Sequence, residues 1–403
     1  IFCRNKLEAM AEPITPAPPA ERSLRYTDGD LSPAGSTLLC VREAHPLDGG
    51  APVNTVVRLA AHEPSQPEPV VEGPDFVSDP RWRPDGKGFC FVEWDHPEMP
   101  WDSVRLVVQG IDGAREVVAG GDRRESVCQP TWAPDGSLWF TSDRTGFWSL
   151  YRWSGSGGPE LVLDLGEDIG GPQWVFGQSW FALLPAGRVA IVHKAEGFDH
   201  LSVLEADGSV TPVDVGATSL DWLRPLGDGV AVVAASPVAE PHVVRIDFGA
   251  RRAEAVVPPR DLGLDPSWFS HPEPIDFATS GGVDAHALYY PPTSPDFEGP
   301  TGERPPLLVF IHGGPTSAAR PMLQLSRQYW TSRGFAVVDV NYRGSSGYGR
   351  AYRELLRSAW GVADVEDCVA AARHLAAAGQ VYPARCCIRG GSAGGFTTLA
   401  ALA

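Results

Sequence analysis

Ser392 stands in a stretch of the sequence whose residue types and spacing point to covalent chemistry. The stretch reads Gly390-Gly391-Ser392-Ala393-Gly394 and fits G-x-S-x-G, the turn that carries a nucleophilic serine from the end of a strand onto a helix. The serine backbone is strained there, and side chains two positions to either side would collide with the helix or the next strand, so glycine is needed. The pattern predicts Ser392 as the nucleophile of an acyl transfer.

A second glycine-containing segment supplies candidate donors for the oxyanion of such a reaction. His312-Gly313-Gly314-Pro315 follows the apolar run Leu307–Ile311, the position of the second oxyanion-hole amide in an α/β-hydrolase. Because glycine leaves the backbone N–H unobstructed, we predict the amides of Gly314 and Ala393 as the two donors. His312 lies in this loop and not after the serine, where the catalytic base of the fold belongs. We therefore interpret it as a structural residue in the wall of the site.

The elements that must position these residues follow residue 265. Apolar runs at 307–311 and 335–340 predict parallel strands buried on both faces, and adjacent Cys386 and Cys387 predict the two faces of another buried strand. The segment 341–349 follows the second run, so we predict Tyr342 and Arg343 in the neighbouring wall of the site. Ser392 then falls at the carboxyl end of a parallel strand, where sites on such sheets form.

A helix is predicted between the second and third of these strands. Asp364 is predicted to cap it and Gly379 to end it. Its predicted core-facing stripe consists of apolar residues at helical spacing, namely Val365, Cys368, Val369, Ala372, Leu375 and Ala376.

The first part of the chain contains a repeat. Tight turns recur at Pro33, Pro84, Pro134 and Pro185, whose spacings are 51, 50 and 51 residues, with a degraded copy at 225–229. Each unit of about fifty residues holds three or four short strands, which is typical of a β-propeller blade. The sequence predicts a propeller of about five blades over residues 1–265 and an α/β-hydrolase domain with a doubly wound, mostly parallel sheet over residues 266–403.

Glu125 lies in a polar loop of the predicted propeller. Such loops usually pack against the fold or lie on its surface, and a buried carboxylate needs a partner. The functional hypothesis is that Glu125 faces the amine of a substrate.

Composition excludes several classes of function. The chain has 33 basic and 50 acidic residues, a net charge of -17, which argues against a general nucleic-acid binder. No apolar run reaches about 18 residues, so no membrane span is predicted. The seven cysteines are scattered without C-x-x-C, so we predict neither a disulfide framework nor a zinc site, and no cofactor. A reducing cytoplasm is the expected location.

The order of these motifs resembles one family of enzymes. Propeller repeats followed by the segments around Gly314, Arg343, Trp360-Gly361-Val362-Ala363-Asp364 and Ser392 are similar to the prolyl oligopeptidase family of serine peptidases, in its acylaminoacyl-peptidase and dipeptidyl-aminopeptidase-like branch. The resemblance implies that Ser392 is the nucleophile, that Gly314 and Ala393 donate to the oxyanion, and that the propeller caps the site and limits substrates to short peptides.

Two departures from the family lead to a further expectation. The family has about seven blades and carries the acid and the histidine of its triad beyond the serine, whereas no Asp, Glu or His follows Ser392 here and the chain does not begin with Met. We therefore expect this chain to be a fragment, inactive by itself. Two other functions stay open: an esterase or amidase acting on small molecules, and a propeller binding module with an inactive hydrolase part.

Overall fold

The computed structural model describes residues 1–3 and 10–403. The chain forms two compact units. The first unit comprises Ile1–Gly166 and Gln173–Gln178, and the second comprises Glu167–Pro172 and Ser179–Ala403. The boundary predicted at residue 265 separates two architectures along the chain and is distinct from the division into these two compact units. It stays a prediction.

The first unit is built from antiparallel strands. A short pair precedes three four-stranded sheets, each formed by strands consecutive in sequence. The pair is β1 (Phe2–Cys3) and β2 (Glu12–Pro13); the sheets are β3 (Leu24–Leu31), β4 (Thr37–Ala44), β5 (Val53–Ala60) and β6 (Glu68–Val71); β7 (Phe76–Trp82), β8 (Gly88–Trp94), β9 (Arg105–Gly110) and β10 (Arg115–Ala119); and β11 (Val127–Trp132), β12 (Leu138–Ser142), β13 (Ser149–Trp153) and β14 (Glu160–Leu163).

The second unit begins with two more four-stranded antiparallel sheets. Their strands are β15 (Phe181–Leu183), β16 (Val189–Ala195), β17 (Phe198–Leu204) and β18 (Val210–Val213); and β19 (Ser219–Leu226), β20 (Gly229–Ser236), β21 (Ala239–Asp247) and β22 (Arg252–Ala255).

The repeated turns found in the sequence join the first strand of each sheet to its second. In the first three copies the glycine takes positive φ, as at Gly86 with φ 69°, and its amide donates back across the turn, as from Gly136 to the Ala133 oxygen at 2.9 Å. Only glycine adopts this backbone without strain, so the turn chemistry fixes where each hairpin begins. The degraded copy likewise separates β19 from β20.

The rest of the second unit is a mixed sheet of five strands in the order β23-β24-β26-β25-β27. The first two strands are antiparallel, and β25 is parallel to both β26 and β27. The strands are β23 (Glu273–Ala278), β24 (Asp284–Tyr290), β25 (Leu307–Ile311), β26 (Ala336–Asn341) and β27 (Cys386–Gly390). The helices are α1 (Leu325–Thr331), α2 (Gly349–Glu354), α3 (Ala363–Ala377) and α4 (Ala393–Leu402).

Two local predictions about this sheet and its helices are wrong. Cys386 and Cys387 are exposed, because β27 pairs only with β25 and lies at the sheet edge among the described residues. The helix α3 is capped by Val362 without a side-chain bond, and its buried face contains Asp364 and Asp367, whereas Val369 from the predicted apolar stripe is 36% exposed.

No helix within residues 1–3 and 10–403 combines the length and the apolar character needed to cross a membrane.

Candidate active site

Ser392 links the end of β27 to the start of α4. Its backbone has φ 54° and ψ −124°, a conformation that a residue with a Cβ adopts only under strain. The surrounding packing maintains this conformation, and Ser392 is exposed at the tip of the turn. Among the described residues its side chain makes no hydrogen bond, and the Ser392 carbonyl accepts from the Gly395 amide at 2.9 Å.

The glycines of the motif are required by close backbone contacts. A Cβ on Gly394 would lie closer than 3.0 Å to the carbonyl oxygens of Ile311 and His312, and a Cβ on Gly390 equally close to the Gly394 oxygen. The helix carrying Ser392 thus packs directly on the end of β25. At Gly391, by contrast, a Cβ would meet nothing within 4 Å.

The loop after β25 lies against the serine. A methyl group on Gly313 would be 3.4 Å from the Ser392 Cβ atom and 4.0 Å from its Oγ atom. Gly314 follows immediately, with φ 126°, and Ala393 is the first residue of α4. Of the two residues predicted to donate to an oxyanion, Gly314 thus belongs to the loop packed against Ser392 and Ala393 follows Ser392 in the chain.

Both ring nitrogens of His312 have partners other than Ser392. Its Nδ1 atom lies 2.8 Å from the Gly313 oxygen and its Nε2 atom 2.8 Å from the Ser345 Oγ atom. Because a carbonyl oxygen only accepts, the proton is assigned to Nδ1, and Nε2 accepts from the Ser345 hydroxyl. Burial lowers the pKa of His312, so the neutral ring is favoured.

Tyr342 supports this ring. It is fully buried, stacks on His312 with ring centroids 4.4 Å apart and an interplanar angle of 15°, and donates from its hydroxyl to the His312 carbonyl at 3.2 Å. Tyr342 thereby fixes the backbone of the residue that precedes Gly313.

Arg343 points into a network with α3. Its Nε atom donates to Asp367 at 3.0 Å, and its guanidinium lies 3.0 Å from Glu366. Burial lowers the pKa of Arg343, but Asp367 and Glu366 together outweigh burial and raise the pKa overall. The side chain clamps the loop 341–349 to α3, a contact that composition and spacing did not indicate.

A second polar contact, also missed from sequence, joins α3 to α4. The Thr397 hydroxyl donates to Asp364 at 2.5 Å, and the same carboxylate accepts from the Gly361 amide at 2.7 Å. Asp364 and Thr397 are both fully buried. This contact sets the position of α4 and hence of the serine at its start.

The loop that carries Gly314 is anchored at its far end by Arg320. The Arg320 guanidinium lies 2.7 Å from Asp221 on β19 and 3.6 Å from Asp199 on β17. The Leu323 amide donates to the Ser236 oxygen on β20 at 2.8 Å. Burial lowers the pKa of Arg320, but Asp221 and Asp199 together outweigh burial and raise the pKa. Strands of two four-stranded sheets therefore hold this loop.

Glu125 belongs to the first unit, whereas Ser392 belongs to the second. Its carboxylate is fully enclosed and accepts two bonds from Arg144 at 2.8 and 2.9 Å, one from the Gly120 amide at 2.5 Å and one from the Ser142 hydroxyl. A substrate amine would have to displace at least one of these donors. The role of Glu125 in amine recognition stays a prediction.

Another serine, Ser202, has the hydrogen-bond order of a catalytic triad. The His193 Nε2 atom is 3.0 Å from Ser202 Oγ and its Nδ1 atom is 2.5 Å from Glu167. Ser202, however, lies inside β17 with 3% of its surface exposed, so its hydroxyl cannot approach a peptide carbonyl. Within residues 1–3 and 10–403, no three His, Cys, Asp or Glu side chains group as metal ligands.

The sheet, the strained serine and the glycine loop beside it are arranged like the nucleophile turn of α/β-hydrolases. The model of the prolyl oligopeptidase family matches residues 321–403. The chain is thus related to the prolyl oligopeptidase family of serine peptidases, and the resemblance drawn from the motifs is confirmed.

Three relatives illustrate this relationship. A puromycin-hydrolyzing peptidase of Mycobacterium tuberculosis is 38% identical with a TM-score of 0.91, covering 97% of this chain and 62% of that one. The acylamino-acid-releasing enzyme of Sus scrofa is 27% identical over 81% of this chain and 49% of its own. Dipeptidyl aminopeptidase BIII of Pseudoxanthomonas mexicana is 29% identical over 50% of this chain and 29% of its own. The chain spans less than two thirds of each relative.

Proposed function

We propose that the whole protein is a serine peptidase that hydrolyses short peptides or releases N-terminal aminoacyl or acylaminoacyl groups through an acyl-enzyme on Ser392. The observation that carries this proposal is the positive φ of Ser392 with Gly313 packed against its side chain. A strained, exposed serine beside a glycine loop is the arrangement that nucleophilic attack and oxyanion stabilisation both need.

In the proposed reaction, Ser392 Oγ attacks the peptide carbonyl carbon while a histidine base takes its proton. The amides of Gly314 and Ala393 donate to the oxyanion, the C–N bond breaks, and the base returns the proton to the leaving amine. Water then releases the acyl group by the same steps. Both nitrogens of His312 are occupied by Gly313 and Ser345, so we assign the base to another residue and give His312 and Tyr342 the role of shaping the loop.

We further propose that the five four-stranded sheets are blades of a propeller over residues 1–265, and that residues 266–403 form the catalytic domain. The propeller would restrict substrates to short peptides. A cytoplasmic location accords with the cysteine usage. The inactivity expected of residues 1–403 alone stays a prediction.

Hydrolysis of a small aminoacyl amide is the second candidate function, favoured by the 38% identity to a puromycin-hydrolyzing peptidase. A panel tested on the protein at its natural length distinguishes amide from ester hydrolysis and free from blocked amines: aminoacyl and N-acetylaminoacyl p-nitroanilides, puromycin, and a p-nitrophenyl ester. We expect turnover of at least one aminoacyl or acylaminoacyl amide, lost in Ser392→Ala. Turnover of the ester alone would identify an esterase, and failure of a fluorophosphonate to label the protein would indicate a binding module.

A further inference from the structure

The first unit contains a cavity that the proposed chemistry at Ser392 does not use. Its volume is about 400 Å³, within the range of sites that hold small organic molecules. The wall is mostly aromatic and includes Phe76, Trp94, Trp101, Trp174 and Phe176. The Trp101 and Trp174 ring centroids lie 4.5 Å apart, and those of Phe76 and Trp94 lie 5.4 Å apart in a stacked pair.

The rim of this cavity exposes large apolar side chains. Trp174 is 48% exposed, Val175 53%, Phe176 44% and Met99 42%. Apolar side chains grouped in this way around a concave surface mark an interaction site, whereas single exposed ones need no explanation. The cavity wall and rim therefore suit an aromatic or similarly apolar group.

A carboxylate lies among these apolar side chains. Asp79 is the one charged residue among the described residues that line the cavity, and only 3% of its surface is exposed. Its nearest cation, Arg81, is shared with a second carboxylate: the guanidinium lies 3.0 Å from Asp79 and 2.8 Å from Asp28. One positive charge therefore faces two buried negative charges.

The same imbalance acts on the pKa of Asp79. Burial raises the pKa of Asp79, and the neighbouring Asp28 raises it further, against the opposing effect of Arg81. A second cation beside Asp79 would stabilise its ionised form.

Gln173 supplies an acceptor at the same place. Its Nε2 atom donates to Asp79 at 3.1 Å, an orientation assigned for the ionised carboxylate, beside which the flipped amide would place two acceptors together. Its Oε1 atom is buried with no hydrogen-bond partner among the described residues, an arrangement that costs free energy until a donor arrives. Gln173 also lines the cavity.

We propose that this cavity binds a small organic ammonium compound that carries an aromatic ring. The ring packs against Trp101, Trp174 and Phe76, and the ammonium N–H groups donate to the Asp79 carboxylate and Gln173 Oε1. The aromatic faces contribute further through cation–π attraction. A cation with N–H donors fits better than a quaternary one because the free acceptor on Gln173 needs a donor. The proposal does not depend on catalysis at Ser392.

The test uses the Ser392→Ala variant at natural length, so that binding is measured without turnover. Isothermal titration calorimetry compares 2-phenylethylammonium with 2-phenylethanol, its neutral analogue of similar size, and with trimethyl(2-phenylethyl)ammonium, which lacks N–H donors. We expect the ammonium ion to bind at least about tenfold more tightly than either analogue, a difference of about 1.4 kcal/mol. Equal affinity for the ion and the alcohol, or no binding of the ion, would overturn the proposal.

Variants locate the site. In the same background, Trp174→Ala should weaken binding about tenfold, whereas Trp360→Ala, which is equally exposed at 48% but outside the cavity, should leave it unchanged. Asp79→Asn should remove the preference for the ion over the alcohol. Because Asp79 is buried and its replacement can disturb folding, Met99→Lys on the exposed rim provides a second charge test, and it should weaken ion binding but not alcohol binding. Unchanged ion binding in both Trp174→Ala and Met99→Lys would contradict the assignment.

Discussion

The Arg320 guanidinium lies 2.7 Å from the Asp221 carboxylate, and this ion pair joins the loop beside Ser392 to a strand of a four-stranded sheet. Arg320 follows Gly314 by only six positions. The contact therefore acts close to the amide proposed to stabilise the oxyanion, although Arg320 need not touch the substrate.

We expect Arg320→Gln to lower kcat/KM about tenfold, mainly through kcat. The hydrogen bond from the Gly314 amide to the oxyanion forms chiefly in the transition state, so displacing this amide raises the barrier of the chemical step. Steady-state kinetics on the protein at natural length measures this. Arg260→Gln is the control, since Arg260 pairs with Glu240 but is 67% exposed, and surface pairs contribute little. A normal kcat in Arg320→Gln would show that the ion pair does not position the loop.

The two inner glycines of the serine turn should respond differently to a methyl group. Gly394→Ala should lower the free energy of unfolding by at least about 2 kcal/mol, because its Cβ would overlap backbone atoms that cannot move aside. Gly391→Ala should change the free energy of unfolding by no more than about 0.5 kcal/mol, since a Cβ there meets nothing within 4 Å. Denaturant unfolding compares the two, and equal effects would contradict the packing described for α4.

The turn illustrates what the sequence could predict. The need for glycine at positions 390 and 394 follows from local geometry, and so does the strain at Ser392. The repeated turns at Pro33, Pro84, Pro134 and Pro185 likewise identified their hairpins. The buried face of α3 was mispredicted because Asp364 and Asp367 are polar, and their burial is stabilised by Thr397 and Arg343, which come from distant segments. The Arg320 anchor was missed for the same reason, since Asp221 lies about one hundred residues away in the sequence. Spacing patterns report local geometry and not such long-range pairs.

His312 should make the stability of the fold depend on pH. Its pKa in the folded protein lies below the ordinary value of 6.5, so the unfolded chain binds a proton first as the pH falls. The contribution of His312 to the free energy of unfolding is thus fully present above about pH 6.5 and decreases as the pH falls toward the folded pKa. Unfolding measured between about pH 8 and 5 should show a smaller decrease in His312→Gln than in the parent protein. An identical decrease in both would mean that His312 titrates normally.

Glu125 is expected to contribute to stability through Arg144. Replacing it with Gln leaves the Arg144 guanidinium, which is only 15% exposed, without its counter-charge. We expect the free energy of unfolding to fall by about 3 kcal/mol. The amine-recognition hypothesis further requires Glu125→Gln to reduce the preference for free over blocked N-termini. A lower stability with an unchanged preference would make Glu125 purely structural.

The central claim, that Ser392 is the nucleophile of a peptidase, is tested most directly by labelling and turnover in one preparation. The protein at natural length is treated with a fluorophosphonate, the modified residue is located by mass spectrometry, and hydrolysis of an aminoacyl p-nitroanilide is followed in parallel. We predict a single adduct on Ser392, turnover that falls in proportion to labelling, and a loss of at least about 10³-fold in kcat for Ser392→Ala. An adduct on another residue, or turnover retained by Ser392→Ala, would contradict the claim.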